Sequence, residues 1–147
     1  MNPESFYKFL PLVFCFLLSS CRFSPNSNPT SSPPLVFNSL NLRSQKQSGV
    51  MDWSLKSPKA RYQHGIRLIK AIDPSGIIYQ DDKPYISIKA KLATIINDGE
   101  ILLLEGEVRL KQLTNNKAVI LGKSMKWTPS NSLIVIEHRP TLHIPYE

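Results

Sequence analysis

The feature that most constrains this chain is a strict alternation of apolar and charged side chains over one ten-residue stretch. Leu102, Leu104, Gly106, Val108 and Leu110 fall on one face, and Glu105, Glu107, Arg109 and Lys111 fall on the other. A period of two is the signature of a strand with one face buried and one face in water. Ile86, Ile88, Ala90 and Leu92 repeat the pattern upstream, with Ser87, Lys89 and Lys91 opposite them. Between the two stretches, Asn97-Asp98-Gly99 supplies residues that accept positive φ cheaply, so the pair reads as a hairpin.

The same grammar extends in both directions. Met51 to Leu55 and Leu68 to Ile72 read as strands, and Asp73-Pro74-Ser75-Gly76 turns the chain into Ile77 to Gln80. Asp81-Asp82 is a further turn. Beyond Asn115-Asn116, Ala118, Ile120 and Gly122 take one side of a strand while Val119, Leu121, Met125 and Trp127 take the other. Pro129-Ser130-Asn131 then leads into Leu133 to Glu137, which is apolar on both faces. No segment supports a helix of three turns, so an all-β domain is predicted, built as an antiparallel meander. A single flat sheet would leave an apolar face in water. The closures that avoid this are a two-layer sandwich, a jelly roll or a strongly curled sheet. Gly106 and Gly122 sit in mid-strand, where glycine marks a bulge, a bend or a close approach, and this argues against a tightly closed barrel.

The amino-terminal region is of another kind. Phe9 to Leu18 is an apolar run closed by Ser19, Ser20 and Cys21. A bilayer core of ~30 Å takes about 20 apolar residues to cross, so this run suits a signal peptide better than a membrane span. Leu18-Ser19-Ser20-Cys21 resembles a bacterial lipoprotein signal, which implies cleavage before Cys21 and lipidation of its thiol. Residues 1–20 are then the signal peptide. Residues 21–48 are the lipidated cysteine and a flexible tether rich in Pro, Ser and Asn, with Pro25, Pro29, Pro33 and Pro34 opposing regular structure. Residues 49–147 form the folded domain, roughly 100 residues with one core. Cys15 leaves with the signal and Cys21 carries lipid, so packing and not disulfides must stabilise the domain.

The formal net charge is +7. Arg61, Arg67, Lys70, Lys89, Lys91, Lys123 and Lys126 are candidates to meet a partner bearing phosphates and carboxylates. Nucleic acid is disfavoured by the exported location and by the lack of a recognisable binding module. No catalytic set stands out. His64, His138 and His143 lie in no metal-ligand spacing, and Glu105 and Glu107 share their face with Arg109 and Lys111, as a solvated charge ladder does. No metal, cofactor or enzymatic activity is predicted.

A family resemblance rests on an ordered series of blocks. These are Ile88-Lys89-Ala90-Lys91-Leu92-Ala93, then Ile101 to Leu110, then Ala118-Val119-Ile120-Leu121-Gly122, then Met125-Lys126-Trp127. Together they resemble the OstA-like domain family of lipopolysaccharide transport. Asp52 to Tyr62 and Gly76-Ile77-Ile78-Tyr79 are similar to its membrane-tethered LptC-type members, in the form associated with cyanobacteria.

The resemblance implies a twisted, boat-like β-jelly roll, open at its edges, with an apolar interior for the acyl chains of lipid A. Ile86, Ile88, Leu92, Leu102, Leu104, Val108, Leu110 and Ile120 are the residues expected to line that trough. It also implies docking by strand addition at two edges, one at Val50, Trp53 and Leu55 and one at Leu133, Val135 and Ile136. The implied partners are lipopolysaccharide, an inner-membrane ABC transporter permease and a periplasmic OstA-like bridge protein. The implied place is the periplasmic face of the inner membrane, held by the lipid anchor. Arg22 departs from the aspartate that retains lipoproteins at the inner membrane in enterobacteria, which leaves the outer membrane open as the anchor's home. A rival class is a structural or adhesive envelope lipoprotein that carries no lipid.

Overall fold

The computed structural model describes residues 33–114 and 117–145. Residues 1–20, the Cys21 lipid site, Arg22 and the Asn115-Asn116 turn lie outside them. The strands are β1 (Leu35–Phe37), β2 (Leu40–Gln45), β3 (Met51–Ser57), β4 (Lys59–Gln63), β5 (Leu68–Ile72) and β6 (Ser75–Gln80), followed by β7 (Lys83–Lys89), β8 (Leu92–Ile96), β9 (Ile101–Gln112), β10 (Val119–Thr128), β11 (Leu133–Glu137) and β12 (Thr141–His143). Every pairing among them is antiparallel, and together they make one sheet.

The topology is simpler than twelve strands suggest. Strands β1 and β2 follow one another along one course, as do β3 and β4, β5 and β6, β7 and β8, and β11 and β12, while β9 and β10 each run a full course alone. Among the described residues the chain therefore makes seven long runs in an up-and-down meander, and each run pairs with its neighbours in sequence. Each is also broken near its middle. Ser39, Asp73, Glu107, His138 and Arg139 have positive φ at these breaks, Pro58 sits at another, and β10 shifts register between Gly122 and Ser124. Lined up side by side, the breaks form a crease across the whole sheet.

The crease divides the sheet into two leaves that fold towards each other. The first leaf holds β1, β4, β5, β8, the start of β9, the end of β10 and β11. The second holds β2, β3, β6, β7, the end of β9, the start of β10 and β12. Backbone groups at the crease remain paired, as buried peptide groups must. The Asp73 amide donates to the Lys91 carbonyl at 2.9 Å, and the Lys91 amide donates to Gly106 at 2.9 Å. Gly106 has φ +75°, and a Cβ there would stand 2.9 Å from that of Lys91, so the crossing point of the crease on β9 demands glycine. Ser57, buried where β3 passes into β4, has its hydroxyl oxygen 2.6 Å from the Ile72 carbonyl and 2.8 Å from the Lys59 carbonyl, and its one proton serves these acceptors.

The fold is thus all-β, nearly closed and jelly-roll-like, with an unsealed seam, as the sequence leads one to expect. Among the described residues the first run and the last do not pair with each other. One boundary differs from expectation. The sheet begins at Leu35, inside the segment read as tether, and β2 buries Leu40 against the core. The alternation Leu40, Leu42 against Asn41, Arg43 was the available signal, obscured by the Pro- and Ser-rich residues before it.

Candidate lipid-binding cleft

The space between the leaves is built from register rows. Nearest the crease in the first leaf, Ala60 stands opposite Ala71, Ala71 opposite Ala93, Ala93 opposite Leu104 and Leu104 opposite Met125. All of these are buried. Three adjacent alanines keep that floor thin, so the second leaf can approach closely where the fold is tightest. Further out, Ile69, Ile95, Leu102 and Trp127 form the next row. From the second leaf, Leu55, Ile88 and Leu110 face them, with Gly76 between Leu55 and Ile88 in register.

The leaves meet through two tryptophans. Trp53 of β3 and Trp127 of β10 lie edge to face, with centroids 6.0 Å apart and planes at 71°. This is the geometry favoured by the quadrupoles of the two rings. Trp53 also caps the tip of the opposite leaf. Gly99, in the 3-10 turn at Asn97–Gly99, has φ +104°, and a Cβ there would lie 2.6 Å from Cζ2 of Trp53.

The residues expected to line a trough are placed as follows. Ile88, Leu102, Leu104, Val108 and Leu110 are buried in the common core, and Ile86 and Ile120 pack against it half-buried. Leu92 is not inside: it is 45% exposed on the outer face. The crease explains the correction. An extra residue at Ala90-Lys91 reverses the alternation between β7 and β8, so Ala93 and Ile95 take the inner positions. The same reversal at Lys123 brings Met125 and Trp127 inside with Ile120, although strict alternation separates them. Trp127 was therefore missed. Mid-strand Gly122 was the signal for it.

The two expected edges fare differently. Trp53 and Leu55 are each 4% exposed, on a strand flanked by β2 and β6, so β3 is no edge. The run β1–β2 holds that position. Val50 is half-buried at the end of the turn into β3. On the other side, β11 pairs with β10 alone, Leu133 and Val135 are exposed, and Ile136 packs inward against the core.

At the open end the cleft widens into a cavity of about 490 Å³, whose wall takes Ile78 and Ile86 from the second leaf and Trp127 and Ile134 from the first. Lys46, Asp52, Asp81, Tyr79 and Tyr85 bring charged and polar groups to the same lining. This mixed lining suits an amphipathic guest, and the size falls within the ordinary range for small-ligand sites. Deeper in, Ile95, Leu102, Leu104, Val108 and Met125 fill the space themselves.

The seven basic candidates do not converge on this cleft. All are exposed on outer faces, turns or breaks of the strands. Arg61 and Lys70 face each other across β4 and β5. Lys91 lies 3.7 Å from Glu107 in an exposed ion pair. Arg67 donates to Asp98 through Nε at 2.9 Å and also through Nη2, and this hydrogen bond holds the guanidinium above its ordinary pKa. Among the described residues no helix is long and apolar enough to cross a membrane.

The class defined by these features is a creased, nearly closed jelly-roll-like β-domain with an apolar interior and an unsealed seam. Over residues 12–138 the sequence matches the family model described as Lipopolysaccharide-assembly, LptC-related, and the chain belongs to that family. Comparison with curated proteins found no match. Membership gives the chain a role in lipopolysaccharide assembly and transport, on the periplasmic side of the envelope near the inner membrane, with lipopolysaccharide and Lpt-system components as partners. Proteins of the family are carriers and not enzymes.

Proposed function

We propose that this chain is a lipid-anchored periplasmic lipopolysaccharide carrier, held at the inner membrane through Cys21. It receives lipopolysaccharide from an inner-membrane ABC transporter and passes it to a stacked OstA-like bridge protein. The observation that carries the reading is the packed apolar interior between the leaves, which borders an open mouth at Trp127. Acyl chains enter there, part the leaves and replace contacts among Ile86, Ile88, Leu102, Leu104, Val108, Leu110 and Ile120. Burial is worth about 0.8 kcal/mol per methylene, so a chain of about twelve carbons brings roughly 9 kcal/mol towards opening the packed interior. Partner strands add at the exposed outer runs, β1–β2 facing the transporter and β11–β12 facing the bridge.

Site-specific photocrosslinking in cells tests this. Probes at Ile86, in the mouth, and Leu104, in the interior, are expected to yield lipopolysaccharide adducts, while one at Glu105 on the outer face yields none. A folded, lipidated protein with no adduct at either inner position rejects the carrier and favours an envelope scaffold.

A further inference from the structure

The outer face of the second leaf carries a charge pattern that the cleft does not use. In one register row, Lys56 stands opposite Ser75, Ser75 opposite Lys89 and Lys89 opposite Arg109. In the adjacent row Arg43, Ser54, Ile77, Ser87 and Lys111 follow one another across the strands. At ~4.8 Å per strand, the five cations cover roughly 19 Å of sheet. Short side chains in the middle and long ones around them leave a depression of about 540 Å³ over Ser54, Ser75 and Ser87. A smaller hollow between Ser87, Lys89, Arg109 and Lys111 continues it. No carboxylate lines either one, and the nearest acids, Asp73 and Glu107, lie at the crease in a neighbouring hollow that shares Ser75, Lys89 and Arg109.

Two further facts set this face apart from an ordinary solvated one. None of the five cations takes part in an ion pair among the described residues. Lys89 and Arg109 are also direct cross-strand partners, an arrangement of like charges that destabilises a sheet unless an anion offsets it. The outer face of the first leaf, by contrast, mixes Arg61, Lys70 and Lys126 with Glu105.

We infer that the outer face of the second leaf docks on an anionic membrane surface, with Arg43, Lys56, Lys89, Arg109 and Lys111 meeting lipid phosphates. Breadth favours a lipid surface over a single soluble anion, because the cations spread over five strands and do not converge. Ile77, Met51 and Tyr79, which line the same depression, add the apolar and aromatic contacts suited to the headgroup boundary. The inference is independent of what the cleft carries.

The test is vesicle co-sedimentation of the full chain bearing Cys21→Ser, so that no acyl anchor contributes. Vesicles of phosphatidylcholine alone are compared with vesicles that also contain phosphatidylglycerol. Each basic side chain near an anionic surface is worth about fivefold in partitioning, so replacing Lys56, Lys89 and Arg109 with serine is expected to cost about a hundredfold on the anionic vesicles. Replacing Arg61, Lys70 and Lys126 with serine lowers the net charge of +7 by the same three charges and is expected to cost far less. Added salt weakens the parent's binding and leaves the first triple little to lose. Equal losses in the two triples, equal binding to neutral vesicles, or full competition by soluble glycerophosphoglycerol overturns the inference. Circular dichroism checks folding, and Lys111→Glu alone, expected to cost at least fivefold, serves if the triple does not fold.

Discussion

Replacing Gly99 with alanine tests how the two leaves are locked. At φ +104° a residue with a Cβ is strained by roughly 1–2 kcal/mol. The new methyl also stands 2.6 Å from Cζ2 and 3.3 Å from Cη2 of Trp53, inside the carbon contact distance of ~3.5–4.0 Å. Trp53 cannot simply swing away, because its ring rests against Trp127. Overpacking of this kind costs about 1–3 kcal/mol, which gives a total near 2–5 kcal/mol. Trp53→Phe removes the outer carbons of the ring and costs about 1–2 kcal/mol alone. In that background, however, Gly99→Ala should retain only its backbone strain. The double variant is therefore expected to be about 1–3 kcal/mol more stable than the sum of the singles predicts. Urea unfolding followed by fluorescence measures it, and Trp127 remains as the reporter because the chain has two tryptophans. Additivity within about 0.5 kcal/mol would show that the Trp53 ring does not sit over Gly99, and the account of the locked leaves would fall.

Val108 is fully buried at the heart of β9 while its neighbour Arg109 is exposed, so Val108→Asp should prevent folding or cost more than about 4 kcal/mol, whereas Arg109→Asp, which gives Lys89 an opposite charge across the strands, should raise stability by up to about 1 kcal/mol; thermal melts of both compare them. Ser57→Ala leaves a carbonyl at the crease without its hydroxyl donor, and a loss of about 1–2 kcal/mol is expected by urea titration. Arg67→Ala should leave the urea midpoint unchanged in low and high salt alike, because both groups of its ion pair are more than half exposed. The pKa of Arg67 is raised, so the cation persists across the working pH range, and stability should show no pH step from the Arg67 guanidinium there.

The alternation that made β9 readable is also the element the fold treats most regularly. Its two break residues, Gly106 and Glu107, preserve parity, so Leu102, Leu104, Val108 and Leu110 all point inward as their spacing predicts. The runs beside it break with an odd count, and there a simple period of two places Leu92 inside and Trp127 on the wrong side of Ile120. Pattern reading assumes a continuous strand, and the crease violates that assumption wherever a run breaks with an odd count. The alanines of the first leaf were silent for another reason. Ala60, Ala71 and Ala93 carry little hydrophobic signal singly, and their meaning lies in being stacked in register. The strand at Leu40–Gln45 was hidden by composition, since a region rich in Pro, Ser and Asn reads as tether although its apolar residues alternate. The outer basic face was present in the sequence as scattered Lys and Arg, and pairing β3, β6, β7 and β9 side by side is what collects them.

The crease also sets the mechanics of the domain. Each leaf reaches about five residues beyond it, an arm of roughly 15 Å. Widening the mouth by one carbon contact, about 4 Å, therefore asks for a rotation of roughly 15° at the crease. Two residues per run share that rotation over four backbone dihedrals, so each turns by only a few degrees, well inside the scatter of about 15–20° that regular strands already show. Seven parallel hinges of this kind behave as a stiff jaw with a soft joint. Such hinges allow the angle between the leaves to change while each leaf keeps its own hydrogen-bonded ladder.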